Sequence, residues 1–416
     1  MNDPVPALRP LLGALIPVPS LPPAEGAALA SLQRVIDDAI APAAVTTDSV
    51  GRYPTASVAA LKNSGILKAS VPAAWGGLGA SHRLSLEAQV RLAAADSSVA
   101  QLFKIHDELT REIFVYCPDA TAPRLATAIL REEAILGLAV AENGATTTDP
   151  LTTRADRQPD GSYVINGTKI YTTGAAEADY IATWAFDPVA GAGDPVRGMV
   201  LNLVAQGSAG VEIRRDWDAL GQRGTDSGTV AFTDVRTDPG LLAVEVGRWP
   251  VSHAPLLYQA GFAAVLVGIG IGALGAAIDF VATKSRPWPS AGADSAAGDV
   301  LVRRLAGELA ADLAGAYALV ASTAELFDLA AAGQISRTEV AIPVYAAKSA
   351  ASRAGLRATS EVFALMGTRS TAGRHGFDRW WRNARTLSLH DPVDWKHAEI
   401  GAHLLSAWDP PFGVYT

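Results

Sequence analysis

The sequence predicts an α+β chain in three blocks: a helical domain over residues 1–131, an antiparallel β domain over 132–245 and a helical bundle over 246–416. Three observations predict this. Apolar residues recur at helical spacing through the first and last blocks. Between them the pattern changes to short β-rich runs separated by turn residues. Those runs follow one another without crossover helices, which excludes a doubly wound dinucleotide-binding sheet.

In the first block Leu32, Val35, Ile36 and Ile40 share one helix face, and Leu84, Leu86, Val90 and Leu92 follow the pattern less strictly. The run VPAAWGGLGAS between them carries glycines at 76, 77 and 79 and reads as a loop. No apolar strand precedes it to make the βαβ unit that a phosphate loop needs, so it is not read as one.

In the second block the segments Ser162–Ile165 and Thr168–Tyr171 flank Asn166-Gly167, a pair suited to the positive φ angles of a type I′ hairpin turn. Further strands are expected at Tyr180–Phe186, Met199–Ala205, Val211–Arg215 and Thr229–Asp234.

The third block opens with an uncharged run, Ala254–Ile278, long enough to span a bilayer. Neither a flanking basic cluster nor a second span accompanies it, so a buried bundle helix is the expectation. Leu301, Leu305, Leu309, Leu313 and Tyr317 step by four along a second helix. A third is expected over Val344–Met366, with Pro343 in its first turn.

Composition limits the function. Apolar residues make up 49% of the 416, charged residues 18%, and the net charge is −8. A large buried core or extensive subunit contact follows, and the lack of a basic run excludes a nucleic-acid partner. A single cysteine, Cys117, excludes an internal disulfide, and the seven scattered histidines show no metal-ligand spacing. The N-terminus carries Asp3 and repeated prolines, unlike a signal peptide, so the expectation is a cytoplasmic protein without a membrane span.

The chemistry concentrates in Asp378–Asp391, DRWWRNARTLSLHD, followed by Pro392. Arginines placed beside tryptophans require anionic or hydrogen-bonding partners if they are buried. The segment resembles the late C-terminal motif of the acyl-CoA dehydrogenase superfamily, and its WRNART and LHDP spellings are similar to the flavin monooxygenase branch typified by dibenzothiophene monooxygenase. The resemblance extends from about Ala28 onward. It implies the acyl-CoA dehydrogenase fold, with an N-terminal helical domain, a central antiparallel β-barrel-like domain and a C-terminal four-helix bundle.

It also implies a flavin site. The run Gly137–Gly144 with Ala145–Asp149 matches the segment along the flavin pyrimidine, which assigns Val140, Glu142 and Asn143 to the cofactor, although Ala141 replaces a threonine there. Thr173 matches the hydroxyl facing flavin N5, and Tyr171 takes the place of a tryptophan backing the ring. Trp217, Thr225 and Ser227 come from the glycine-rich run 216–228, and Arg286 and Arg369 match phosphate-holding arginines, the first often reaching in from a neighbouring subunit. Ile105, His106 and Leu138 are expected to line an apolar substrate pocket.

Two chemistries compete on this scaffold. In a monooxygenase, reduced FMN, or alternatively FAD, reacts with O₂ to a C4a-hydroperoxide, and His390 does the proton work near neutral pH. No nicotinamide fingerprint appears, so a separate NAD(P)H:flavin reductase is the expected electron source. In a dehydrogenase, Asp391 occupies the catalytic base position, one methylene shorter than the family's glutamate. A flavin-binding module without catalysis is the third class. The favoured expectation is a two-component monooxygenase oxygenating a small heteroatom-containing or aromatic substrate, assembled as a homotetramer, with His390, Thr173 and Asp391 at its centre.

Overall fold

A computed structural model describes residues 15, 20–144, 151–248 and 253–413. Its N-terminal helices are α1 (Pro23–Val35) and α2 (Ala41–Val50), joined by a π-turn over Ile36–Ile40, then α3 (Thr55–Ser64), α4 (His82–Ala93), α5 (Ser97–Tyr116) and α6 (Thr121–Arg131). The Asp96 carboxylate caps α5 by accepting from the Ser98 and Val99 amides.

The middle of the chain forms eight strands: β1 (Leu136–Ala139), β2 (Arg154–Arg157), β3 (Tyr163–Ile170), β4 (Tyr180–Phe186), β5 (Met199–Ala205), β6 (Val211–Arg214), β7 (Thr229–Arg236) and β8 (Leu242–Val244). They form one sheet in the order β6-β7-β3-β2-β4-β5-β8, with β1 beside β4. The sheet is mixed, because β1 and β2 both run parallel to β4 where an antiparallel domain was expected.

The expected Asn166-Gly167 hairpin is absent. Tyr163–Ile170 is one continuous strand with a bulge between Ile165 and Gly167 opposite β7. The Asn166 side chain bonds Asp234 on β7 instead of turning the chain. Gly167 is required by packing, since a Cβ there would lie 2.5 Å from Thr153 Oγ1 on the neighbouring segment.

The last block holds α7 (Ala254–Thr283), α8 (Val300–Ala331), α9 (Arg337–Met366), α10 (Asp378–Ser388) and α11 (Val393–Ser406). The uncharged run is the buried spine of the bundle: α7 packs against α4, α8 and α9, and residues Leu256 to Leu274 are almost wholly inaccessible. A helix buried against protein over this length matches the expected core helix rather than a membrane span. Helix α9 starts two turns before the expected Val344, at a capping box between Ser336 and Glu339, which leaves Pro343 inside the helix.

Candidate functional site

The charged C-terminal segment is a helix laid along α7. Phe377 packs edge-on against Phe280 near the end of α7, and His390 at the other end of α10 sits on Phe262. Trp380, Ala384 and Leu387 form its buried face. The anionic partners that the sequence demanded are present: Arg382 bonds Asp48 of α2 and Asp378 one turn away, and also donates to the Leu220 carbonyl. Asn383 Oδ1 accepts from the Gln222 amide at 2.7 Å, which fixes the glycine-rich loop onto α10.

His390 is the focus of the site. Its ring centroid lies 4.0 Å from that of Phe262, with the planes tilted by 37°. Its side chain is 36% accessible. Burial lowers the imidazole pKa, and nearby Lys348 and Lys104 add to that effect against the opposing pull of Asp391. The neutral ring therefore dominates at neutral pH.

Asp391 lies beneath it and is buried. Its Oδ1 is 2.6 Å from Lys348 Nζ on α9 and 3.4 Å from His390 Nδ1. Burial alone would raise its pKa, but hydrogen bonding to His390 and the Lys348 charge hold it well below the usual carboxylate range. Lys348 Nζ also donates to Gln259 Oε1 at 2.6 Å. Burial pulls the Lys348 ammonium down, and Asp391 opposes that shift.

Helix α5 connects this face to the sheet. Gln101 and Lys104 lie about one turn apart on the same side of α5. Gln101 Nε2 stands 3.4 Å from Thr173 Oγ1, while Lys104 Nζ lies 3.7 Å above the Phe262 ring. Thr173 Oγ1 contacts Ser227 Oγ at 3.1 Å, and Ser227 contacts Thr225 Oγ1 at 2.7 Å. The predicted Thr173, Thr225 and Ser227 thus form one buried hydroxyl chain, ending on the Gln222 carbonyl. Gln222 also orients Gln101, donating to its Oε1 at 2.7 Å.

Other predicted residues are placed differently. Tyr171, at φ +67° and exposed, meets half-buried Trp217 edge-on at 5.8 Å, forming an aromatic pair beside the hydroxyl chain. The Glu142 carboxylate is committed to structure: it accepts from Lys169 Nζ at 2.6 Å and from the Thr152 and Thr153 amides. Although burial works to raise it, Lys169 and those donors hold Glu142 down to about 2. Lys169 also occupies the Val140 carbonyl at 2.9 Å. Asn143 is exposed, and Ala145–Asp149 lies outside the described residues.

His106 cannot offer a ring nitrogen to a substrate. Nε2 engages the Leu67 carbonyl at 2.8 Å, and Nδ1 accepts from the Leu136 amide at 3.1 Å. It is a fully buried clasp between α5 and β1, in place of the expected pocket residue. Ile105 is buried with Leu109, Leu136 and Trp184, and half-buried Leu138 packs on the same cluster.

Arg286 and Arg369 do not meet the rest of the site within one chain. Arg369 donates to the Lys284 carbonyl at 2.9 Å, and Arg286 lies two residues further on, both just beyond the end of α7. From Phe262 to the end of α7 the helix rises about 30 Å. That is further than a mononucleotide flavin reaches. The hydroxyl chain and aromatic pair fit the ring of such a group, whereas the phosphate arginines fit it only if a neighbouring copy supplies them.

Sequence reasoning missed Gln101, Lys104, Glu108, Gln259, Phe262 and Lys348. The only local signal was the four-residue spacing of Lys104 and Glu108 on a helix, which normally marks a solvated pair.

The chain is similar to known proteins over most of its length. The chain matches the acyl-CoA dehydrogenase N-terminal domain over residues 23–133, the middle domain over 137–235 and the C-terminal domain over 260–395. Dibenzothiophene monooxygenase of Rhodococcus erythropolis is 35% identical over 88% of this chain and 90% of its own length. A Pseudomonas putida protein named probable FMNH2-dependent monooxygenase SfnC is 32% identical, over 93% of this chain and 97% of its own. The crystal structure of FMN-bound TdsC from Paenibacillus sp. A11-2 superposes with a TM-score of 0.87 at 33% identity, covering 94% of this chain and all of that one. The three domain matches in order, and relatives this similar over nearly their whole length, establish that the chain belongs to the acyl-CoA dehydrogenase family, on its flavin-dependent monooxygenase branch.

Proposed function

We propose that this protein uses reduced FMN, delivered by a separate NAD(P)H:flavin reductase, and O₂ to oxygenate a small, neutral organosulfur compound. The observation that carries it is that His390, seated on Phe262, and the Thr173 hydroxyl chain are tied to neighbouring turns of α5, the first through Lys104 and the second through Gln101. FMN supplies the oxygen-activating chemistry when bound. Thr173, Ser227 and Thr225 hold its ring by hydrogen bonds, and Trp217 with Tyr171 shields the ring from water. His390, with a neutral imidazole, would accept or return a proton at a ring nitrogen. Asp391 and Lys348 hold that imidazole in place.

The relative named as FMNH2-dependent and the FMN-bound TdsC structure support the flavin assignment, and dibenzothiophene in another relative's name suggests sulfur as the oxygenated atom. Lys104 and Lys348, the lysines around Phe262, are already matched by carboxylates, which favours a neutral substrate over an anionic one. Phosphate binding by Arg286 and Arg369 is proposed to come from a neighbouring copy in a homotetramer. The dehydrogenase alternative needs Asp391 as a free base, and its 2.6 Å contact with Lys348 opposes that role. An assay comparing reduced FMN with air and a thioether or thiophene against an acyl-CoA without oxygen separates the two: sulfoxide formation supports the proposal, and acyl-CoA oxidation overturns it.

A further inference from the structure

Beneath Phe262 lies a second ion pair. Lys104 and Glu108 of α5 are 0% and 1% accessible, with Nζ 2.7 Å from Oε2. The other Glu108 oxygen stands 3.5 Å from Gln89 Nε2, and the Gln89 carbonyl oxygen has no hydrogen-bond partner among the described residues. Helix α7 yields space to the pair at Gly261, where a Cβ would lie 2.0 Å from Glu108 Oε1 and 2.8 Å from Lys104 Cε. Such burial is seldom favourable against apolar residues of equal volume, so stability alone does not account for it.

The pair touches the site through one ring. Lys104 Nζ is 3.7 Å from the Phe262 centroid and 5.0 Å from that of Tyr258, while His390 lies 4.0 Å from the same Phe262 centroid. Ammonium and imidazole therefore lie within about 8 Å of each other, close enough in a protein interior to alter one another's charge.

We propose that Lys104, kept charged by Glu108, is a positioning residue for His390: it clamps Phe262 through a cation–π contact and favours the neutral imidazole. The proposal rests on the assignment of proton transfer to His390. The charged and polar groups facing His390 are Asp391 beside it, Lys348 from α9, Lys104 with Glu108 behind it from α5, and Gln259 and Tyr258 from α7. Both cations are paired, Lys348 with Asp391 and Lys104 with Glu108, and Lys104 lies nearer the Phe262 ring, at 3.7 Å against 5.1 Å. Burial disfavours both charges, raising Glu108 and lowering Lys104, and the 2.7 Å contact between them works against each shift.

The test titrates His390 directly in the full-length protein. Its carbethoxylation by diethyl pyrocarbonate is followed between pH 5 and 8 by peptide mass spectrometry, which reports the neutral fraction without flavin or substrate. Lys104→Met combined with Glu108→Gln removes both charges at nearly constant volume, and Lys104→Arg retains the cation. The double variant is expected to raise the His390 midpoint by about one pH unit, and Lys104→Arg to leave it near the wild-type value. An unchanged midpoint in the folded double variant would overturn the proposal. Full oxygenation by His390→Ala would instead overturn the assignment of proton transfer, without touching the midpoint result.

Discussion

Asp391 Oδ1 lies 2.6 Å from Lys348 Nζ, and both side chains are inside the protein. The pair links α9 to the turn after α10 and sets the residue that precedes it, His390, against Phe262. The position that a dehydrogenase would use for its base is thus an anchor. Asp391→Asn leaves Lys348 without its counter-charge and is expected to cost about 3 kcal/mol of stability, measured by urea unfolding. Its folded-state pKa is depressed, so its contribution is complete above the unfolded value near 4 and is lost as pH falls below it. Stability of the wild type should fall on acidification in this range more steeply than that of the Asn variant.

His390→Ala is expected to lower product formation by about two to four orders of magnitude, the range for a lost proton-transfer group. FMN affinity, read by fluorescence titration, should be unchanged, because the hydroxyls proposed to hold the ring are Thr173, Ser227 and Thr225 and not His390. A parallel loss of affinity would place His390 in cofactor binding instead.

Arg369→Ala is expected to weaken flavin binding by about 1–3 kcal/mol. Its distance from His390 along α7 adds a second expectation. In mixed oligomers of Arg369→Ala and His390→Ala subunits, some sites should combine an intact His390 with an intact Arg369 from a neighbour and regain activity. Mixtures as inactive as either parent would show that each chain builds its site alone.

Gly261→Ala is expected to destabilise the protein by about 1–3 kcal/mol through overpacking against Glu108. Thermal unfolding checks it, and Glu108→Ala in the same chain should recover part of the loss by opening the space.

Much of the fold was legible because it depends on local pattern. The uncharged run from Ala254 announced the buried helix, and the strands from Tyr180 to Thr229 fell close to their expected places. The Asn166-Gly167 pair misled because its chemistry serves a bulge as well as a turn, and only the approach of Thr153, just before β2, decides between them. The hydroxyl chain could be picked out by resemblance to the family. The His390 support could not: Lys348 and Asp391 are 43 residues apart, and nothing in an alanine-rich helix indicates which lysine turns inward. His106 was misjudged for the same reason, since its two backbone partners come from distant segments.

The proposed reaction is oxygen transfer from O₂ with flavin reduced by a separate enzyme. The most direct measurement supplies the protein with FMN, NADH, a separate flavin reductase, ¹⁸O₂ and dibenzothiophene or a small thioether, and analyses the product by mass spectrometry. One ¹⁸O per oxygenation, dependent on this protein and largely lost in His390→Ala, is the predicted result. Product without label, or turnover of an acyl-CoA to its enoyl form that is abolished by Asp391→Asn, would contradict it.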